Sequence, residues 1–155
     1  QRQMEVFEAQ LRIAVERDLP VALHCVRAWP ELLTTMARIG LPQRGGFVHA
    51  WTSDLRATHQ ALELGLHLSF GPDLERSTKT REALAATPVD RFLLETDSPD
   101  RPIRGRVRGE PADLIAVAVH AARATSMTPN AALEHSSRNA RRLLGSPQPL
   151  PVLGS

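Results

Sequence analysis

Apolar residues along the chain follow two alternating rhythms. Met4, Phe7, Leu11 and Ala14 recur every three or four positions, which predicts a helix over residues 4–15. Pro20 breaks that rhythm, and Val21-Ala22-Leu23-His24 reads as a short buried strand. Pro30 suits a first helical position, Leu32, Leu33, Met36 and Ile39 carry the helix, and Gly40 suits its end. Gly46-Phe47-Val48-His49-Ala50 is a second strand, and Ser53 or Asp54 caps a helix that carries Leu55, Thr58 and Leu62 and ends near Gly65. Leu66 to Phe70 is a third strand, stopped by Gly71-Pro72, and a short helix fits residues 76–86. The fourth strand runs from Arg91 to Asp97 and stops at Pro99. Beyond a loop over 98–110, Pro111 opens a helix reaching about Thr125, and Thr128-Pro129 opens a last one, closed by Gly145. The Pro-rich tail over 146–155 is expected to be disordered.

A helix followed by four strand-helix units, with nearly continuous apolar strands, predicts a parallel sheet covered by helices. Four such units make half of an eight-stranded barrel or a small open sheet. No internal sequence repeat separates the two.

Composition narrows the class. A chain of 155 residues fits one domain, and its 42% hydrophobic content suffices for a real core. No apolar run nears the roughly 20 residues of a membrane span, so no membrane partner is expected. The start is polar and amphipathic, unlike a signal peptide. It begins at Gln1 rather than Met, so processing or truncation is expected to have removed a segment. A single cysteine, Cys25, excludes an internal disulfide and fits a reducing, cytoplasmic compartment. A net charge of +2 is too small to argue for nucleic acid by itself. Lys79 is the only lysine, a bias that genomic base composition explains better than binding does.

Three of the four strands end in a side chain able to bind metal: His24, His49 and Asp97. Alternation puts Ala22 with His24, Phe47 with His49, and Leu93 with Glu95 and Asp97, each set on one strand face. If those faces share a side, the three groups converge at the C-terminal mouth, where barrel enzymes place their chemistry. A lone strand-end His is more often a hydrogen-bonded rim residue, and an Asp there more often caps a helix. Spacing alone leaves both readings open. Imidazole with carboxylate suits zinc, manganese or iron better than magnesium.

The segments LPVALHC, GGFVHAWTSD, LHLSFG and RFLLETDSP resemble successive strand ends of the TatD family of metal-dependent deoxyribonucleases. The opening FEAQLRIAVERD resembles the helix before that family's fifth strand. The stretch from Glu110-Pro111 through Ser137-Arg138-Asn139-Ala140-Arg141-Arg142-Leu143-Leu144 is similar to its C-terminal helices. The resemblance covers nearly all of 1–145, and LETDSP together with two strand-end histidines is its most specific part. It implies an α/β fold of the (β/α)8 TIM-barrel type, with residues 1–145 as the C-terminal half, holding the last four strand-helix units. It implies a site for two divalent cations (Mg, Mn or Zn), with His24 and His49 on one. Asp97 would bind the other and act catalytically, orienting or deprotonating the attacking water. The implied reaction is hydrolysis of DNA phosphodiesters from the 3′ end. The family also carries a His-x-His pair on its first strand and a bridging Glu on its fourth. Neither occurs in this chain, so alone it is expected to hold a weakened site with little or no activity. Implied partners are DNA and either the missing N-terminal half or a second copy. Many members read H-x-R-x-A after that strand, whereas here the arginine falls one place later, in His24-Cys25-Val26-Arg27-Ala28; Arg27 departs from the pattern and is the residue that the resemblance leaves as candidate substrate contact.

Glu95 needs a partner if it faces inward, either as outer support for the metal ligands or in an ion pair with an arginine. Arg101, Arg104, Arg106 and Arg108 could meet a nucleic-acid backbone, although a solvated loop is the commoner use of such a cluster. Trp51 could stack on a base or pack against a helix. Cys25 points away from His24 into the core, His59, His120 and His135 sit on helices without a role, and His67 is ambiguous. Two other classes remain open. One is a non-catalytic half-barrel that dimerises as a binding module. The other is a related amidohydrolase-type enzyme acting on amide or lactone bonds.

Overall fold

The computed structural model describes residues 2–145, so the tail expected over 146–155 lies outside the described residues. Helix α1 (Arg2–Glu16) leads into strand β1 (Val21–Leu23), followed by α2 (Trp29–Ile39), β2 (Gly46–Val48), α3 (Leu55–Glu63) and β3 (His67–Phe70). Then come α4 (Asp73–Arg76), α5 (Thr78–Ala85), β4 (Phe92–Leu94), a 3-10 turn at Pro111–Asp113, α6 (Leu114–Thr125) and α7 (Pro129–Leu144). The four strands pair in sequence order, all parallel.

Local chemistry sets the helix ends. The Asp54 side chain accepts from the Ala57 amide and caps α3, and Thr128 caps α7 through the Ala131 amide. Pro sits in the first turn of α2 and of α7. The short helix expected over 76–86 is found as α5, and a further turn of helix, α4, precedes it. Ser77 leaves helical geometry (φ −113°, ψ 114°), and its hydroxyl accepts from Thr80, which ends α4 and starts α5.

The register decides what faces what. Ala22 pairs with Phe47 and Phe47 with His67, while Ser69 pairs with Leu93. These residues line one face of the sheet. Leu23, Val48, Leu68, Phe70, Phe92 and Leu94 line the other and form one buried cluster with Leu11, Met36, Ala61, Leu84, Val117 and Ala132 from the helices. The first face turns outward at the β1 side, where Ala22 is exposed and Phe47 partly so. At the β4 side, α7 is bound to the strand by polar contacts. Asn139 Nδ2 donates to Val89 O (3.0 Å) and Phe92 O (2.9 Å), and the Leu94 amide donates to Ser136 Oγ at 2.8 Å. β1 lies close against β2 because position 46 has no side chain: a β-carbon there would sit 2.6 Å from the Val21 carbonyl oxygen.

Candidate metal centre

His24, His49 and Asp97 all lie just past strand C-termini. The His49 amide donates to Leu23 O at 2.8 Å, and the Glu95 amide donates to Phe70 O at 3.0 Å. The ladder therefore runs one step beyond β2 and β4, and alternation still governs where His49 and Glu95 point. It fails at Asp97. The fourth strand was expected to reach that residue, but the ladder ends at Glu95 and Asp97 adopts φ +51°. The Asp97 carbonyl accepts from the Asp100 and Arg101 amides (3.0 and 3.2 Å), so a tight turn aims its carboxylate.

The turn brings the group back to the same mouth. His49 Nε2 lies 3.2 Å from Asp97 Oδ1, and the His24 and His49 ring centroids are 5.5 Å apart at a tilt of 36°. Behind His49, Nδ1 is 2.9 Å from Glu95 Oε2. Glu95 Oε1 accepts from the Ala50 amide at 2.9 Å, and Ser69 Oγ donates to Oε2. The carboxylate thus serves the imidazole, and among the described residues it forms no ion pair with an arginine. Ser69 was not singled out from the sequence. Its one signal is position: two residues after His67 on β3, it shares the face of Glu95.

Two donors on one ion, each about 2.1 Å from it, stand about 3 Å apart when they subtend a near right angle. The pair formed by His49 Nε2 and Asp97 Oδ1 has that separation and chemistry, with Nδ1 already engaged by a carboxylate, the arrangement common for metal-binding histidines. The residues fit a share of a cation site. Among the described residues, no group of three or more His, Cys, Asp or Glu side chains forms a holder complete in itself.

The surroundings correct some expectations. Trp51 is 3% exposed, its indole N–H donates to Thr58 Oγ1 at 3.0 Å, and its ring meets Trp29 edge-on at 5.0 Å. It is a core residue without a free face for a base. Arg27 is exposed, has φ +58°, and lines a cavity of about 210 Å³ with Trp29, His49, Thr52 and Ser53. Two of the loop arginines are committed to carboxylates. Arg101 pairs with Asp73 and approaches Asp97 Oδ2 at 3.4 Å, and Arg106 pairs with Glu110 at 2.8 Å and Asp113 at 3.3 Å. Among the described residues, the Arg104 and Arg108 guanidiniums form no salt bridge, although the Arg104 amide donates to Glu75 Oε2 at 2.9 Å. Cys25 packs against the core, and burial pushes its thiol pKa up. Among the described residues, His67 Nδ1 is buried without a hydrogen-bond partner; burial first, then the Arg91 charge, hold the imidazole pKa below its ordinary value.

The family model for TatD related DNase matches residues 1–145. The uncharacterized metal-dependent hydrolase YjjV of Escherichia coli is 36% identical over 113 residues, 72% of this chain and 43% of that protein. A crystal structure of YjjV, described as a TatD homolog, superposes with a TM-score of 0.86 at 29% identity, covering 94% of this chain and 57% of that one. YabD of Bacillus subtilis, also an uncharacterized metal-dependent hydrolase, is 32% identical over 146 residues, 91% of this chain and 57% of that protein. A 3′-5′ ssDNA/RNA exonuclease TatD of Klebsiella pneumoniae is 35% identical over 102 residues, 64% of this chain and 39% of that protein. The chain spans about half the length of the curated relatives it matches. Sequence, fold and strand-end side chains agree, and the chain belongs to the TatD-related DNase family, whose fold is of the TIM-barrel type.

Proposed function

We propose that this chain is the C-terminal half of a (β/α)8 metal-dependent hydrolase that trims single-stranded nucleic acid, DNA above all, from its 3′ end. The observation that carries the reading is the His49–Asp97 pair, 3.2 Å apart at the mouth of a parallel sheet. His24 and His49 would hold one divalent cation (Mg, Mn or Zn), and Asp97, with Oδ1 near enough to His49 Nε2 to touch that ion, would reach the second. A divalent ion there supplies a water of lowered pKa and offsets charge on the phosphoryl oxygens. Asp97, its backbone fixed by the turn, would orient the attacking water and accept its proton. Arg27, in the cavity beside His49, is placed to meet a phosphate.

The half-barrel reading has its own support. Beside the β1 edge, a cavity of about 460 Å³ is lined mainly by apolar side chains, among them Phe7, Leu11, Val21 and Leu23, with Gln10 and His24 as its polar members. It lies where a preceding strand would dock. Relatives twice as long would supply that strand, along with the remaining ligands. No helix among the described residues is long and apolar enough to cross a membrane, and a cytoplasmic setting is part of the proposal.

The test compares this chain with the protein carrying the complete barrel, on 3′-labelled single-stranded DNA with Mg²⁺ or Mn²⁺. The complete barrel is expected to release nucleotides, the isolated chain to release few or none, and Asp97→Asn to silence the complete barrel. A complete barrel with every ligand intact that leaves DNA uncut would refute the nuclease reading.

A further inference from the structure

We infer that Glu95 is a positioning residue that sets the tautomer of His49, leaving the Nε2 lone pair free toward the cation, and that Ser69 and the Ala50 amide hold Glu95 for this task. The inference rests on the reading of His49 as a metal ligand. A carboxylate only accepts hydrogen bonds. Three donors from outside β4 converge on this one: Ala50 N–H on Oε1 at 2.9 Å, His49 Nδ1 on Oε2 at 2.9 Å, and the Ser69 hydroxyl on Oε2. The Ala50 amide belongs to the backbone and cannot turn, and Ser69 is only 2% exposed. These two orient the carboxylate, and an accepting oxygen 2.9 Å from Nδ1 requires a proton on that nitrogen. A neutral imidazole has one proton, so Nε2 is then bare.

A rival arrangement puts the proton on Nε2, donated to Asp97. Asp97 is the weaker acceptor: its contact is longer, 3.2 against 2.9 Å. Its other oxygen is shared with the Arg101 guanidinium at 3.4 Å, which draws on its negative charge. Among the described residues, Glu95 has no Arg or Lys partner and keeps its full accepting strength for His49.

Glu95→Gln separates positioning from packing, because the amide has nearly the same shape. The Ala50 N–H claims the amide oxygen, so the NH₂ group faces Nδ1 and forces it to accept. The ring proton then moves to Nε2, with Asp97 as its acceptor, and blocks coordination there. In chain labelled with ¹⁵N-histidine, stripped of metal and held at a pH where the ring is neutral, nitrogen shifts and ring couplings report the tautomer. The wild-type chain is expected to carry the proton on Nδ1 and the E95Q chain on Nε2, with unchanged circular dichroism. Zn²⁺ affinity measured by calorimetry is expected to fall roughly 10- to 100-fold. Wild-type His49 protonated on Nε2, a result that needs no variant to fold, would overturn the inference. So would E95Q that keeps the proton on Nδ1. If the tautomers switch as stated but the complete barrel takes up no Zn²⁺, the positioning role of Glu95 stands and the metal reading of His49 falls.

Discussion

His67 shows how one side chain writes itself into the pH response. Its ring begins β3 with Nδ1 buried and, among the described residues, unpartnered, and burial followed by the Arg91 charge holds its pKa below the ordinary 6.5. Unfolding returns the ring to water and lets it take a proton more readily. Its contribution to stability is therefore complete above pH 6.5 and is lost as pH falls from there toward the lowered folded value. His67→Gln removes this titration. The melting temperature of the variant is expected to fall less steeply than wild type on acidification below about pH 6.5, as a thermal-melt series across pH would record. Parallel slopes for the two proteins would assign the acid response to other groups. At the same scale, Trp51 shows why an aromatic residue beside a site invites over-reading. Its place two residues after His49 suggested stacking, but whether a ring is open or buried depends on α2 and α3, which supply Trp29 and Thr58 from positions no local pattern connects.

At the scale of elements, α7 and β4 depend on one another. Asn139, 1% exposed, satisfies two carbonyls on the approach to and within β4. Asn139→Ala leaves both without that partner and should cost about 2–4 kcal/mol, read as a lowered urea midpoint. Because β4 leads directly to Glu95 and Asp97, the same variant should also weaken metal uptake. An unchanged midpoint would mean that water replaces the amide there. Helices were the legible elements, since their starts are written in local chemistry: Asp54 and Thr128 cap as their residue types suggest. Strand alternation located His49 and Glu95 on one face because the ladder continues through both amides. It could not locate Asp97, whose direction comes from a left-handed backbone angle and the turn amides at Asp100 and Arg101. Ser69 escaped notice because a hydroxyl in an apolar strand carries no charge to flag it. Its importance arises only when β3 pairs with β4.

Over the whole molecule, the asymmetry between the two sheet faces matters most. One face is sealed by helices, whereas the other is open at the β1 side, with Ala22 exposed in the first strand. In a closed barrel Ala22 would point inward. Ala22→Glu should leave the stability of this chain within about 0.5 kcal/mol of wild type, yet it should prevent the complete barrel from folding into active enzyme. Denaturant titration of the chain and nuclease assays of the complete barrel read the two halves of that expectation. A complete barrel that tolerates the charge would mean that this face does not close as proposed. Glu95 adds a temporal consequence. It stands 46 residues after the imidazole it supports, and 26 after the Ser69 hydroxyl. As the chain leaves the ribosome N-terminus first, His49 and Ser69 emerge long before their shared acceptor. The mouth of the sheet is organised only when β4 docks, so His49 and Ser69 gain their final aim late in the life of the nascent chain.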